Sequence, residues 1–180
     1  MIIGIAGYKS SGKDTAGSVL TDMFGFEKMS FAAPIKDLVA STFDLSRHML
    51  DGTTPESREL REQTLPNVFN KTPRFLLQVI GTGFRDLVHK DVWVKIVEEK
   101  YKNSINEHVV ITDVRFPNEV QMINDHGFVI GIKRQGFNGD AHISERALDD
   151  TALPYIMHNN GDMADLKLQM FDFLKDKLKT

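Results

Sequence analysis

Met1-Ile2-Ile3-Gly4-Ile5-Ala6-Gly7-Tyr8-Lys9-Ser10-Ser11-Gly12-Lys13-Asp14-Thr15 opens the chain and decides its architecture. The short, mostly apolar run Met1 to Ala6, ending at a glycine, reads as the buried first strand of a parallel sheet. From Gly12 the spacing turns helical, with Val19, Leu20, Met23 and Phe24 on one face and Gly25 as the stop signal. Between strand and helix stands Gly7-x-x-x-x-Gly12-Lys13, the spacing of a phosphate-binding loop. With 13 glycines in 180 residues, about 0.07 chance matches to this motif are expected, before any demand for a flanking strand and helix. The glycines let the backbone wrap so that the N–H groups of the loop, Gly7 through Gly12 with Lys9, Ser10 and Ser11 between, face inward. The helix N-terminus adds positive partial charge, and Lys13 reaches β- and γ-phosphates. One position departs from the generic motif. Asp14 stands where Ser or Thr usually offers a hydroxyl to Mg²⁺, and the hydroxyl comes one residue later, at Thr15. A carboxylate there repels a triphosphate unless a cation lies beside it, which points to metal or substrate positioning; the alternative is a first-turn acid favoured by the helix dipole.

The rest of the composition bounds the partners. Against 25 Asp and Glu the chain has 22 Lys and Arg, a net charge of −3, so there is no broad basic field to hold a nucleic-acid polymer or an anionic membrane. Any anion must be gripped locally. The 41% hydrophobic share of 180 residues suits one ordinary domain. Zero cysteine removes disulfides, thiolate metal sites and cysteine nucleophiles and fits the cytoplasm. The apolar N-terminus lacks a charged n-region and meets Lys9 too early for a signal peptide or membrane span.

Short apolar runs alternate with helically spaced stretches, the pattern of an α/β fold, here a three-layer αβα domain of the P-loop class over residues 1–180. A short strand is expected at 26–31, and a helix from Pro34 with Ile35, Leu38, Val39 and Phe43 as its stripe. Residues 44–71 read as a polar, irregular and mobile insertion. Thr72-Pro73 opens a helix carrying Leu76, Leu77, Val79, Ile80 and Leu87, and Asp91 caps another through about Lys102. Strands follow at 108–113, 128–134 and 155–158, with a helix at 117–126, a polar loop at 135–140 and a C-terminal helix from about Asp162.

Two clusters beyond the loop carry chemistry. Arg74, Gln78 and Arg85 share one face of their helix, by spacings of four and eleven. They suit a second phosphate and a base edge, or equally a solvated polar face. Asp113 ends an apolar strand, with Arg115 and Glu119 close behind, where ligands of open α/β sheets sit; an Asp–Arg structural pair is the plain alternative. Asp113 is thus placed to assist Mg²⁺. Trp93, the lone tryptophan, either packs in the core or stacks on a nucleobase. His89, His108, His126 and His158 show no metal-ligand spacing.

Taken in order, Ser11-Gly12-Lys13-Asp14-Thr15, then Ser30-Phe31-Ala32 with Pro34 and Lys36, then Arg74 with Leu77-Gln78, Gly81 and Arg85, then Trp93, then Asp113-Val114-Arg115-Phe116 through Glu119, resemble the bacteriophage-type deoxynucleoside monophosphate kinases. The Asp after the loop lysine is ordinary there. The resemblance implies the nucleoside monophosphate kinase fold, a central parallel sheet with a helical substrate-binding insertion at about 44–105 and a lid at about 134–150. It implies ATP and Mg²⁺ as cofactors and a dNMP as acceptor, with Lys13, Asp14 and Arg115 catalytic and Thr15, Asp14 and Asp113 near the metal. Arg74, Gln78 and Trp93 are then expected at the monophosphate, with Asp14, Asp113, Arg115 and Glu119 around its phosphate, sugar and base. Arg134, or Arg146 in the segment through His142-Ile143-Ser144-Glu145-Arg146, would be the lid cation, and Asn160-Gly161-Asp162 would lie by the adenine. The compartment would be a host cytoplasm if the chain is phage-encoded, and an apolar face could support a homodimer. Rival readings are a kinase of another small acceptor, such as dephospho-coenzyme A, and a nucleotide-binding switch without transferase activity.

Overall fold

Ile2–Ala6 forms β1, with all five residues buried. In this computed structural model, which describes residues 1–136, 148 and 152–178, β1 is the middle strand of a five-stranded sheet. Its companions are β2 (Glu27–Met29), β3 (Val109–Val114), β4 (Gly127–Lys133) and β5 (Tyr155–His158), in the order β2-β3-β1-β4-β5. Every pairing is parallel. That is why both neighbours of β1 read as near-continuous apolar runs: a parallel strand inside such a sheet is covered on both faces.

Among the described residues, three helices cover the sheet. Ile3, Ile5, Val110, Ile130 and Ile132 share one cluster with Val19 and Leu20 of α1 (Lys13–Phe24) and Leu166, Met170 and Leu174 of α8 (Met163–Lys177). Gly4, one residue out of phase with Ile3 and Ile5, faces the other way, where a Cβ would fall 2.7 Å from Ile123 of α7 (Pro117–His126). The expected αβα layering is therefore present, and Gly25 ends α1 in the left-handed conformation its position suggested.

Strand β3 departs from regular pairing. Gly4 aligns with Ile111 and Ala6 with Val114, so β3 carries one extra residue between them. A bulge of this kind re-aims side chains next to a site. Thr112 stays on the α1 side with Val110, against Gly17, while the bulge turns Val114 to the Gly4 face. Asp113 sits in the bulge, a placement that strict alternation does not foresee.

Two compact units divide the chain. The sheet and its helices are Met1–Ser30 with Lys100–Thr180, and the second unit is Phe31–Glu99. The latter contains α2 (Ala33–Phe43), α3 (Arg47–Asp51), α4 (Pro55–Glu62), a 3-10 turn at Pro66–Val68, α5 (Pro73–Leu87) and most of α6 (Val92–Lys102). It has its own core of Val39, Leu45, Leu50, Val68 and Leu76. The unit begins at Phe31, and α2 contributes Val39, Ala40 and Phe43 to its core. One expectation is corrected by it. Residues 44–71 are not irregular: Ser46 accepts from Met49 N–H at 3.3 Å and Thr54 from Ser57 N–H at 3.0 Å, capping α3 and α4. The stripe on α5 is also narrower than expected. Leu76 is buried, but Val79 and Leu87 are 51% and 88% exposed, since they lie around the helix from the core-facing side or at its end.

Candidate active site

Because all five strands are parallel, the segments leaving them emerge at one edge of the sheet. These are Gly7–Gly12 after β1, Ser30 after β2, Arg115 after β3, Arg134 after β4 and Asn159–Asp162 after β5. A cleft of about 350 Å³ opens there, lined by Ser10, Gly12, Lys13, Asp14, Thr15, Arg134, Asn159, Gly161, Asp162, Met163 and Leu166.

The loop owes its path to two glycines. Gly7 has φ +147°, and a Cβ on it would fall 2.5 Å from the Ile132 carbonyl oxygen. Gly12 has φ +107°, and its Cβ would fall 2.6 Å from Asn159 Nδ2. No other residue type fits either position without strain. The Lys13 ammonium lies back over the loop, donating to the Gly7 and Tyr8 carbonyl oxygens at 2.6 Å each. It can exchange those acceptors for phosphate oxygens without moving its backbone.

Two helix N-termini line the cleft, and they differ. Asp162 caps α8 with its carboxylate, accepting from Ala164 and Asp165 N–H at 2.7 and 2.9 Å. Gly12, the N-cap of α1, brings no side-chain cap. A phosphate is therefore favoured at α1, where the helix dipole and Lys13 act together. At α8 the cap carboxylate opposes it, and Met163, 64% exposed, offers a polarizable thioether to a flat ring.

Asp14 is 86% exposed at the mouth of the loop. Its Oδ1 accepts from Lys28 Nζ and Thr112 Oγ1, both at 3.3 Å. The charge that a carboxylate needs beside it at this place is thus supplied by Lys28 of β2, a residue that sequence reasoning passed over. Ser30 Oγ donates to Asp113 Oδ2 at 2.7 Å. Among the described residues no three His, Cys, Asp or Glu side chains gather as a metal cage. The available donors, Thr15, Asp14 and Asp113, are hard oxygens, few in number. That set fits Mg²⁺, which keeps several waters and is usually held by one or two carboxylates plus substrate phosphates.

Glu119, expected near the substrate, is 4% exposed, and its carboxylate accepts from the backbone N–H groups of Arg115 and Phe116 at 2.7 and 3.1 Å. It fixes the turn that presents Arg115. Glu at the third position after Phe116, with Pro117 opening α7, is the sequence signal for this cap.

Arg74, Gln78 and Arg85 lie on α5 in the second unit, all half-buried. Arg74 pairs with Glu62 at 2.9 Å, and Arg85 donates to the Lys90 carbonyl oxygen at 3.2 Å. Trp93 is only 4% exposed; its indole N–H donates to the Gly81 carbonyl oxygen at 2.8 Å, and its ring lies 5.3 Å from Phe84. This is the core-packing alternative, because both the face and the polar edge of the indole are already engaged. The nucleobase role is accordingly not carried forward. Arg134 lines the cleft, whereas most of the expected lid, with His142, Glu145 and Arg146, lies outside the described residues.

Asn159 is the residue that the sequence reading missed outright. It is 7% exposed, and its Nδ2 donates to the Ser11 carbonyl oxygen at 2.7 Å. The run Asn159-Asn160-Gly161-Asp162 between a strand and a helix cap was its visible signal.

Comparison with known proteins matches residues 1–65 and 56–170 to the family described as deoxynucleotide monophosphate kinase. A relative from Acanthamoeba polyphaga mimivirus carrying that name is 38% identical over 159 residues, 81% of this chain and 80% of that protein. The deoxynucleoside-5'-monophosphate kinase of Escherichia phage T5 is 29% identical over 126 residues, 64% of this chain and 50% of that protein. Among solved structures, shikimate kinase from Aquifex aeolicus vf5 aligns over 100% of both chains with a TM-score of 0.50 and 15% identity, a likeness of fold. No helix among the described residues is long and apolar enough to cross a membrane.

Proposed function

The chain belongs to the deoxynucleotide monophosphate kinase family, and from that premise we propose that it transfers the γ-phosphoryl group of ATP to a deoxynucleoside monophosphate. The products are ADP and a dNDP, a DNA precursor. The observation that carries this reading is the asymmetry of the cleft. The uncapped N-terminus of α1, with Lys13, takes the triphosphate, and the Asp162-capped end of α8, with Met163 and Gly161, takes the nucleoside.

A bond forms between the acceptor phosphate oxygen and Pγ, while the bond from Pγ to the β,γ-bridging oxygen breaks. The attacking oxygen is already anionic, so no strong base is required, and catalysis rests on alignment and charge neutralisation. Lys13 and the loop N–H groups hold the β- and γ-phosphates. Arg134 neutralises donor oxygens from the other side of the cleft. Arg74 with Gln78 binds the acceptor, and Arg115, held by Glu119, neutralises phosphoryl charge, each Arg through its two-pronged fork. Thr15, Asp14 and Asp113 would hold Mg²⁺, which when bound would neutralise phosphate charge.

A coupled assay of ADP release over the dNMPs, NMPs and dephospho-coenzyme A tests the assignment. Release is expected to rise with at least one dNMP, and Lys13→Ala is expected to abolish it with the melting temperature nearly unchanged. Stimulation by dephospho-coenzyme A alone would move the acceptor class, and nucleotide binding with no stimulation by any acceptor would favour a switch module.

A further inference from the structure

The phosphate loop is held from outside by one side chain that the transfer reaction does not use. Asn159 stands at the first position after β5 and is 7% exposed. Its backbone N–H donates to the Lys133 carbonyl oxygen at 2.8 Å, tying it to the end of β4 next to Arg134. Its Nδ2 donates to the Ser11 carbonyl oxygen at 2.7 Å, across 148 residues of chain. The neighbouring Asn160 accepts from Gln135 N–H at 3.2 Å. Two successive asparagines thus link the nucleoside end of the cleft to the phosphate loop and to the segment that follows β4.

We infer that Asn159 is a positioning residue for the triphosphate: by holding the Ser11 carbonyl, it orients the Ser11–Gly12 peptide so that the Gly12 N–H is aimed at phosphate. In a trans peptide the C=O and the following N–H point to opposite sides of the chain, so fixing one fixes the other. The loop's own bonds flank this peptide: Ser11 N–H donates to the Tyr8 carbonyl oxygen at 3.1 Å, and Ala16 N–H to the Gly12 carbonyl oxygen at 2.9 Å. Gly12 sits in the left-handed region, where the backbone has no side chain to lock it, and Ser10 also has a positive φ of 63°. A loop with two such residues in three has many accessible shapes once detached. The inward geometry needed for phosphate is one of them. Asn159 also packs within 2.6 Å of where a Gly12 Cβ would lie, so the contact is tight as well as polar. Because the acceptor is a carbonyl oxygen, only the NH₂ of the amide can face it.

This role rests on the reading that the loop binds a triphosphate, but not on which acceptor the enzyme uses. The test is therefore binding. Affinities of the full chain for ATP and for inorganic tripolyphosphate are measured by calorimetry for the wild type, Asn159→Leu and Asn159→Asp. Asn159→Leu keeps the branching and loses the donor without adding charge; Asn159→Asp keeps the shape and loses the donor. We expect the dissociation constants for ATP and tripolyphosphate to rise together, by about tenfold, in both variants, with the KM for the dNMP within about twofold of wild type. A space-filling role predicts instead that the uncharged Asn159→Leu binds tripolyphosphate as tightly as wild type, and that result would overturn the inference. So would a loss confined to ATP, which would place Asn159 at the nucleoside. If the wild type binds neither ligand, the inference falls along with the triphosphate reading. If binding behaves as expected but no dNMP stimulates ADP release, the positioning role stands and the acceptor assignment fails.

Discussion

At the residue scale, the phosphate loop is legible because its ingredients are consecutive. Gly7, Gly12 and Lys13 declare a backbone shape and a charge within seven positions, and the structure adds only the atoms they touch. The roles of Lys28 and Asn159 are not legible, for the opposite reason: each matters through a partner that only the fold brings near, Asp14 for Lys28 and Ser11 for Asn159. The Lys28–Asp14 pair makes a sharp prediction. Its members are 52% and 86% exposed, so its worth to folding is well under about 1 kcal/mol. Its effect on a triphosphate is larger, because an uncompensated Asp14 faces like charge. Lys28→Met is expected to raise the KM for ATP severalfold in the wild type and to leave it unchanged in an Asp14→Asn background. Equal increases in the two backgrounds would show that Lys28 acts on the phosphates directly and not through Asp14.

At the element scale, long periodic segments declared themselves and short ones did not. The helices α1, α5 and α8 carry enough turns for a stripe and a cap to be read, whereas α3 has five residues and α4 eight. The short helices are fixed by contacts beyond their own sequence. Ser57, fully buried, donates to the His48 carbonyl oxygen and accepts from Gly52 N–H, both at 2.6 Å, which joins α4 to α3. Asp51 at the end of α3 does the same toward α2, pairing with Lys36 at 2.9 Å and with Arg47 at 3.3 Å; Arg47 also pairs with Asp37. Partial burial pushes the Asp51 carboxyl up, but the hydrogen bonds and charges of Lys36 and Arg47 outweigh it and hold the group below the ordinary carboxylate range. A carboxyl whose pKa is lower when folded stabilises the fold above its unfolded pKa, and that contribution fades as the pH falls through the folded value. Asp51→Asn is therefore expected to cost about 1 kcal/mol or less at pH 7, given the solvent exposure, and progressively less below about pH 4. Urea denaturation at the two pH values checks this; a cost independent of pH would mean that shape, not charge, joins α3 to α2.

At the scale of the whole molecule, the order of runs and periodic stretches sufficed for the layered sheet, because a parallel αβα arrangement is written in the alternation of apolar strands with amphipathic helices. The division into two units was only partly legible. Where the second begins depends on which core claims α2, and that is decided by Val39 and Phe43 meeting Leu50 and Val68 rather than by any linker composition. The net charge of −3 gives no general attraction for anions, so each phosphate-bearing ligand must find its own local set of cations. The set proposed for the triphosphate, Lys13, Arg134 and the start of α1, belongs to the unit that holds the sheet; the set proposed for the monophosphate, on α5, belongs to Phe31–Glu99. Each unit has its own core, so each can respond to its ligand through local stabilisation, since a ligand bound to the native state suppresses the openings of the segment it touches. Hydrogen exchange read by mass spectrometry should then separate the two ligands. ADP alone is expected to slow exchange at residues 7–15 and 159–165 and to leave 72–85 unchanged. A dNMP alone should slow exchange at 72–85. Protection by the dNMP confined to the loop peptides would place the monophosphate at α1 and remove Arg74 and Gln78 from substrate binding, leaving their shared face as the solvated one that spacing alone equally allows.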